Sequence, residues 1–301
     1  GLAITPLVDA DAAVPNAAAC STAGQWRQGQ LNVYWFDVDQ GDSQLIIGPT
    51  GKTMLIDLGE NSWNSQGANT NATDVAAQIR TICGTGASPV HLDYVMASHQ
   101  HLDHIGYAGN PGDTQGYGNG IYQLLTPTTV GGLGFTVGQV IDHDAGTWTD
   151  ANGNGKCDTG TSTAPEPEVA WHNVGTTSMT GQRFICWLYG PAGQPDRAAI
   201  EGKVLALTNS MAWPVLDLGG GATATIEEAN AKGVMQVDGT TPVSGDHSTD
   251  PNPPSENDFS APARCASQSD DTLESWSIAP FTSSGEITRK VAPASVARRT
   301  A

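Results

Sequence analysis

A chain of 301 residues with 38% apolar and 15% charged residues is long enough to bury one large core or two small ones. Its net charge of −18 excludes a broad basic face for gripping nucleic acid, although phosphate substrates stay open to a site whose metal ions bring their own positive charge. No apolar run reaches the roughly 18 residues of a membrane-spanning helix, so no membrane association is expected.

Residues 1–30, rich in Ala, Pro and Asp, are expected to form a flexible lead-in. The stretch LNVYWFDV, residues 31–38, is aromatic and β-branched enough for a strand buried on both faces. DQGD then makes a polar turn, SQLIIG a second strand, PTGK a further turn and TMLIDLG a third strand. Three strands joined by short turns make a β-meander. Between Thr73 and Cys83 the period changes: Val75, Ile79 and Ile82 recur at helical spacing, Asp74 sits in the first turn and Gly84 follows as a stop. HLDYVMAS is another apolar strand, and it runs straight into SHQHLDHIG. Strand, helix and strand in this order predict an α/β (α+β) protein, a sheet covered by helices. The glycine-rich YAGNPGDTQGYGNG reads as a mobile loop beside the site. Weak strands are expected over 135–141, 183–189, 204–207 and 224–226, and TDPNPPSENDF as a surface loop. Residues 261–301 show neither a convincing strand nor an amphipathic helix and read as an irregular tail, leaving residues 31–260 as the folded domain.

Five cysteines occur without a C-x-x-C pair, which argues against a zinc knuckle and for disulfides in an oxidising compartment. Cys157 with Cys186 is the expected bridge, Cys20 with Cys83 a second, and Cys265 is left unpaired. A chain that starts at Gly1 and shows no basic-then-apolar leader reads as a secreted protein whose signal peptide has been removed. In TDANGNGKCD, Asp150, Asn152, Asn154 and Gly155, with Asp158 beyond, match the first half of a calcium loop. Position 12 would be Thr161 and not Glu, so a plain Asn/Gly turn competes with a bound calcium ion.

The segment His99-Gln100-His101-Leu102-Asp103-His104 carries the chemistry. Residues two apart on an extended chain point the same way, so His99 and His101 can grip one metal together. A turn then lets Asp103 and His104 face the same cavity, which suits a second metal about 3.5–4 Å from the first with hydroxide between them. Imidazole and carboxylate favour zinc, with manganese or iron as substitutes. Among the other histidines, His172 is a third ligand or a hydrogen-bonded loop residue, His143 among acids in IDHDAG either approaches the site or is a solvated turn residue, the latter being the reading taken, and His91 is ordinary surface.

H-x-H-x-D-H after an apolar strand resembles the metal motif of the metallo-β-lactamase-fold hydrolases. The upstream FDVDQGDSQLIIGPTGKTMLIDLG resembles the opening of their branch related to the metallohydrolase domain of bacterial DNA-uptake (competence) channels, and the downstream DHDAGTWTDANGNGKCD, EVAWHNVGTTS and SENDFS resemble secreted, free-standing members of that branch. The resemblance covers residues 31–260. It implies a four-layer αββα sandwich with metal ligands at His99, His101, Asp103 and His104, and with Asp103 orienting the attacking water. Asp57 then supports the metal-binding loops and Asp42 holds a turn. The family's later G-D and H-H-G-S segments, which supply a bridging aspartate and a further histidine, do not follow Ser260, so an incomplete sandwich is expected. Asp246 and His247 in SGDH are candidate substitutes for those ligands. The implied activity is metal-assisted hydrolysis, with a phosphodiester or nucleic acid as preferred substrate. A small lactone or ester is the nearest rival, a non-catalytic metal-binding remnant is the alternative, and no protein partner is expected.

Overall fold

Strands β2 (Ser43–Ile47) and β3 (Thr53–Leu58) are buried along their whole length, as central strands covered on both faces must be. They lie in a six-stranded sheet with β1 (Asn32–Trp35), β4 (His91–Ala97), β5 (Thr136–Asp142) and β8 (Val204–Ala206), in the order β1-β2-β3-β4-β5-β8. The expected meander is present: β1 to β3 run antiparallel, while β3, β4, β5 and β8 are mutually parallel. This computed structural model describes residues 17–38, 41–59, 71–108, 118–157, 168–172, 177–208, 214–226, 263–269 and 272–278. Asp158, Asp246 and His247 lie outside them.

Alternation along the central strands divides the core in two. Leu45, Ile47, Leu55 and Val95 face one cluster, where α1 (Asn71–Cys83), α3 (Gly120–Leu125) and α4 (Met179–Tyr189) bring Val75, Ile79, Leu124, Phe184 and Trp187. Ile46, Met54, Ile56, Met96 and Ile141 face the other. There they meet Leu216, Leu218, Ala222, Ala224 and Ile226 of β9 (Val215–Gly219) and β10 (Ala222–Ile226). A second, antiparallel sheet of order β12-β11-β10-β9 supplies that layer, with β11 at Ala263–Ser269 and β12 at Thr272–Ile278. Helices, a mixed sheet and an antiparallel sheet thus stack as three layers among the described residues. A small hairpin of β6 (Gly146–Trp148) and β7 (Val169–Trp171) packs through Ala145 and Val169 against Ile185 of α4.

Four expectations are corrected. Strand β1 is an edge strand among the described residues, flanked by β2 alone there and with Trp35 62% exposed, not one buried on both faces. Residues 183–189 are helical, not extended. Ser178 caps α4 by accepting from the Gly181 amide at 3.0 Å, and burial from Thr180 to Leu188 removes the one-sided pattern that marks a surface helix. The tail contains a hairpin, in which β11 and β12 are separated only by Asp270 and Asp271 and pair from Ser269↔Thr272 to Ala263↔Ile278. Ala263 and Cys265 pack into the layer between the sheets, where small residues suffice and leave no strong apolar signal. Finally, residues 17–30 are anchored: Ala18 bridges to Val90, the buried Trp26 indole donates to the Ser21 carbonyl, and Cys20 is bonded to Cys83.

Both expected disulfides are formed, Cys20–Cys83 with 4.2 Å and Cys157–Cys186 with 5.8 Å between Cα atoms. Cys265 is free and buried, and its burial pushes the thiol up to about 12. Such bonds persist in oxidising compartments. Among the described residues no helix is long and apolar enough to cross a membrane.

Candidate metal centre

Because β3, β4 and β5 are parallel, their carboxyl ends lie along one edge of the sheet, the edge where open α/β sheets bind ligands. The end of β3 contributes Asp57 and the end of β4 leads through Ser98 into His99 and His101. The short helix α2 (Leu102–Ile105) then turns the chain so that His104 comes back toward His99, with ring centroids 3.9 Å apart.

Two glycines make this turn fit. A Cβ on Gly59 would overlap the Asp103 carbonyl, and one on Gly41 would sit 2.6 Å from that same oxygen. Asp42 stitches the three pieces together. Its amide donates to the Asp103 carbonyl at 2.9 Å, its carbonyl accepts from the Gly59 amide at 3.1 Å, and its carboxylate lies 3.7 Å from His104 Nδ1. The turn residues Gly41 and Asp42 and the L-I-D-L-G strand end are therefore the two walls that hold the H-x-H-x-D-H turn.

Asp57 is the buried anchor. Its Oδ1 accepts from the Ser98 amide at 2.8 Å, and its Oδ2 accepts from the Ser98 hydroxyl at 2.6 Å and from His104 Nδ1 at 2.9 Å. Asp57 has φ +57°, a left-handed conformation that Asp adopts more readily than most residues. Burial works against the His104 charge, but the Asp57 hydrogen bond and carboxylate outweigh it and hold His104 above its usual value. With Nδ1 committed to Asp57, Nε2 of His104 is the free nitrogen, 4.0 Å from Asp103 Oδ2. A carboxylate fixing one ring nitrogen so that the other can bind is how protein metal sites orient their histidines.

His99 Nε2 and His101 Nδ1 face each other at 3.1 Å. Two imidazoles on a tetrahedral zinc, with Zn–N near 2.0–2.1 Å, hold their donors about 3.3 Å apart. The pair is thus already spaced for a common ion. Among the described residues no three His, Cys, Asp or Glu side chains are arranged to hold a metal as they stand. In donor type and adjacency the group fits a metal, and rotation of the imidazoles is what binding would require.

The structure brings His99, His101, Asp103, His104, Asp57 and Asp42 together and places the remaining candidates differently. His172 is a surface-exposed residue whose Nδ1 meets Asp144 Oδ1 at 2.9 Å, the hydrogen-bonded loop reading. His91 bonds Thr136 Oγ1 at 2.9 Å. In the Asn/Gly loop both Asp150 oxygens accept backbone amides, Oδ1 from Asn154 at 3.0 Å and Oδ2 from Gly155 at 2.9 Å. Asn152 Oδ1 also accepts from the Asn154 amide, and Asn154 Oδ1 from Lys156, so the side chains close the turn on itself.

One residue is overturned. His143 is not a solvated turn residue but fully buried, at 0% exposure, with no partner for either ring nitrogen. Burial, and then the nearby His101, pull it down to about 3. Beside it the Asp142 carboxyl, with Oδ2 accepting from the Tyr189 hydroxyl at 3.0 Å, is pushed by burial up to about 7. Gln100, between the two histidines of the motif, is buried against Gly181 of α4 with its amide unpartnered. The sequence left His143 open and missed Gln100, because the burial of both depends on which strand and helix lie alongside β4.

Compared with known proteins, the chain matches no family model, no curated protein and no solved structure.

Proposed function

We infer that this chain is a secreted metal-dependent hydrolase of the metallo-β-lactamase type, with a dinuclear zinc-class site at His99, His101, Asp103 and His104. The observation that carries the reading is the facing His99–His101 pair at 3.1 Å beside a His104 oriented by Asp57. The helix–sheet–sheet stack is three of the four layers such a sandwich requires. Two disulfides fit the secreted reading.

In this reading His99 and His101 hold one ion and Asp103 with His104 Nε2 the other, while Asp57 and Ser98 keep the His104 ring in place. Bound metal supplies a water acidic enough to attack at neutral pH and polarises the scissile bond. Asp103, whose side chain is 31% exposed, is the carboxylate within reach of solvent and orients that water. A phosphodiester is the preferred substrate. The net charge of −18 disfavours long nucleic acid held on a basic track, so the metals must supply the anion recognition. A lactone or other ester is the rival substrate.

The test is hydrolysis of a chromogenic phosphodiester and of a lactone by the zinc- or manganese-loaded chain, beside the His101→Ala/His104→Ala double variant. Expected are bound metal in the parent, phosphodiester turnover, and loss of both in the variant. Absence of bound metal from the parent, or equal metal in the two, overturns the reading.

A further inference from the structure

Helix α4 begins beside the motif turn and is braced against both of its flanks. On one flank lies Gln100, between His99 and His101. A Cβ on Gly181, in the first turn of α4, would sit 2.9 Å from the Gln100 Cδ and 3.0 Å from its Oε1. On the other flank lie Tyr107 and Ala108, just past the end of α2. Arg183 of α4 stacks its guanidinium 4.3 Å from the centre of the Tyr107 ring and donates from Nη1 to the Ala108 carbonyl at 3.1 Å. Side chains of a helix lean toward its N-terminus, which carries Arg183 back over the first turn.

This end of α4 holds positive charge that nothing answers. Among the described residues Arg183 forms no ion pair, although the chain has 31 acidic residues to 13 basic ones. Its Nε is shut away from solvent and has no acceptor. Arginine keeps its charge in proteins, and a buried charge without a counter-charge is strongly destabilising. Position adds to the cost, because the N-terminus of a helix is its positive end and disfavours a cation. Ser178 accepts from the Gly181 amide through its hydroxyl and from the Gln182 amide through its carbonyl. The Met179 and Thr180 amides, the first two of the helix, have no acceptor among the described residues. Gln100, 1% exposed, has both atoms of its carboxamide unpartnered, and the Thr180 hydroxyl, in a residue 3% exposed, is unpartnered too.

We propose that the first turn of α4, with Arg183 and Gln100, binds an oxyanion: a phosphate group of the substrate or product handled by the neighbouring metal centre. Free backbone amides at the positive end of a helix suit a phosphate, and a guanidinium adds charge-assisted hydrogen bonds to it. The Gln100 amide and the Thr180 hydroxyl add neutral donors. The site's place in hydrolysis rests on the metal-centre reading. The site itself does not, since none of its donors belongs to the proposed metal ligands. An Arg183 that only braced the turn would use Tyr107 and Ala108 and leave the other donors idle, so anion binding separates the two roles.

The experiment uses the full chain, stripped of metal by chelation and labelled with 15N. Inorganic phosphate and dimethyl phosphate are titrated in parallel at constant ionic strength. Expected are saturable shifts of the Arg183 Nε–H and of the Met179 and Thr180 backbone amides. Arg183→Gln should weaken phosphate binding about 10–100-fold through loss of hydrogen bonds from a charged group, and Arg183→Lys should recover part of it. Thr180→Val leaves the Arg183 brace intact and should weaken binding about 2–10-fold, which keeps a test available if Arg183→Gln does not fold. Binding of dimethyl phosphate assigns the site to the phosphate of a diester. Binding of inorganic phosphate alone assigns it to the doubly charged phosphate of a monoester product. Unmoved Arg183, Met179 and Thr180 signals, or unchanged phosphate affinity in folded Arg183→Gln, would overturn the proposal and leave the metal centre standing. Zinc is absent throughout, so phosphate binding at α4 stands even if the chain takes up no metal and the metal-centre reading falls.

Discussion

The carboxyl ends of β4 and β5 lie side by side and treat their buried polar groups in opposite ways. At β4 the chain is closed by partners. Ser98 gives its amide and hydroxyl to Asp57, His104 gives Nδ1 to the same carboxylate, and His99 faces His101. At β5 the two His143 nitrogens have none, while the Asp142 carboxyl is met by the Tyr189 hydroxyl and by the backbone of Asp144 and Ala145. Internal hydrogen bonds can build and orient a site before any ligand arrives, and this is what the Asp57 network does. Unpaired groups at the neighbouring end cannot orient anything by themselves. The difference separates residues that prepare a site from residues that prepare none.

The sharpest way to break that comparison is Asp57→Ala. It leaves the Ser98 amide, the Ser98 hydroxyl and His104 Nδ1 without their acceptor inside the core. Removing one partner of a buried charged pair costs about 3–5 kcal/mol, and that is the expected loss in a urea titration. Metal affinity should fall about 10–100-fold as His104 loses its orientation. Asp57→Asn keeps an acceptor and tolerates the left-handed backbone, so it should recover part of both. If Asp57→Ala proves as stable as the parent, the β4 end is not held together by this carboxylate.

The motif turn was legible in the sequence and the neighbouring end of β5 was not, for a physical reason. Asp103 and the three motif histidines sit in a turn directly after an apolar strand, where spacing marks them from local sequence, whereas Asp57 and Asp42 were marked by the family resemblance alone. The meander, α1 and β4 were readable for the same reason, since Val75, Ile79 and Ile82 or the run from Leu92 to Met96 carry their own period. His143 needed knowledge that β5 lies next to β4, a contact between residues about 40 positions apart that no periodicity records. Helix α4 was misread because its aromatic and β-branched run from Phe184 to Tyr189 favours a strand locally, while its polar Thr180, Gln182 and Arg183 are buried and not on a solvent face. The β11–β12 hairpin escaped because the residues that pack from it between the sheets, Ala263 and Cys265, are too small to announce a strand.

The next prediction concerns the clamp behind the β5 end. Cys186 lies on α4, one turn before Tyr189, and its bond to Cys157 ties that helix to the Asn/Gly loop across a sequence separation of 29. Loop-closure entropy for a bridge of that span amounts to about 3.5 kcal/mol. Cys157→Ala/Cys186→Ala should therefore melt well below the parent but above the fully reduced parent, which loses Cys20–Cys83 as well. Gln100 packs on Gly181 of α4 while His104 is held by Asp57, so zinc shifts at His99 and His101 should weaken in the folded fraction more than those at His104. Equal weakening at all three would mean that α4 supports the whole turn alike.

The smallest effect is expected from Tyr189→Phe, and it probes the β5 end directly. The change keeps the ring packed and deletes only the hydroxyl that donates to Asp142 Oδ2, a hydrogen bond of about 1–1.5 kcal/mol. Its pH dependence follows from the burial that raises the Asp142 carboxyl from 3.8 to about 7. Between those two values the folded chain holds a proton that the unfolded chain has released. Stability contributed by this group is therefore fully present below the lower value and falls as pH rises toward the upper one. The Tyr189 hydroxyl favours the ionised carboxylate, because it donates a hydrogen bond to it, and so limits that fall. Without it the folded value climbs further and the loss of stability continues above pH 7. Urea titrations of the metal-free protein at pH 5 and pH 8 should then show a small difference between Tyr189→Phe and parent at the lower pH and a larger one at the higher. A difference that is the same at both would mean that the hydroxyl contributes packing and neutral hydrogen bonding alone, and that Asp142 does not become charged in the folded chain over this range.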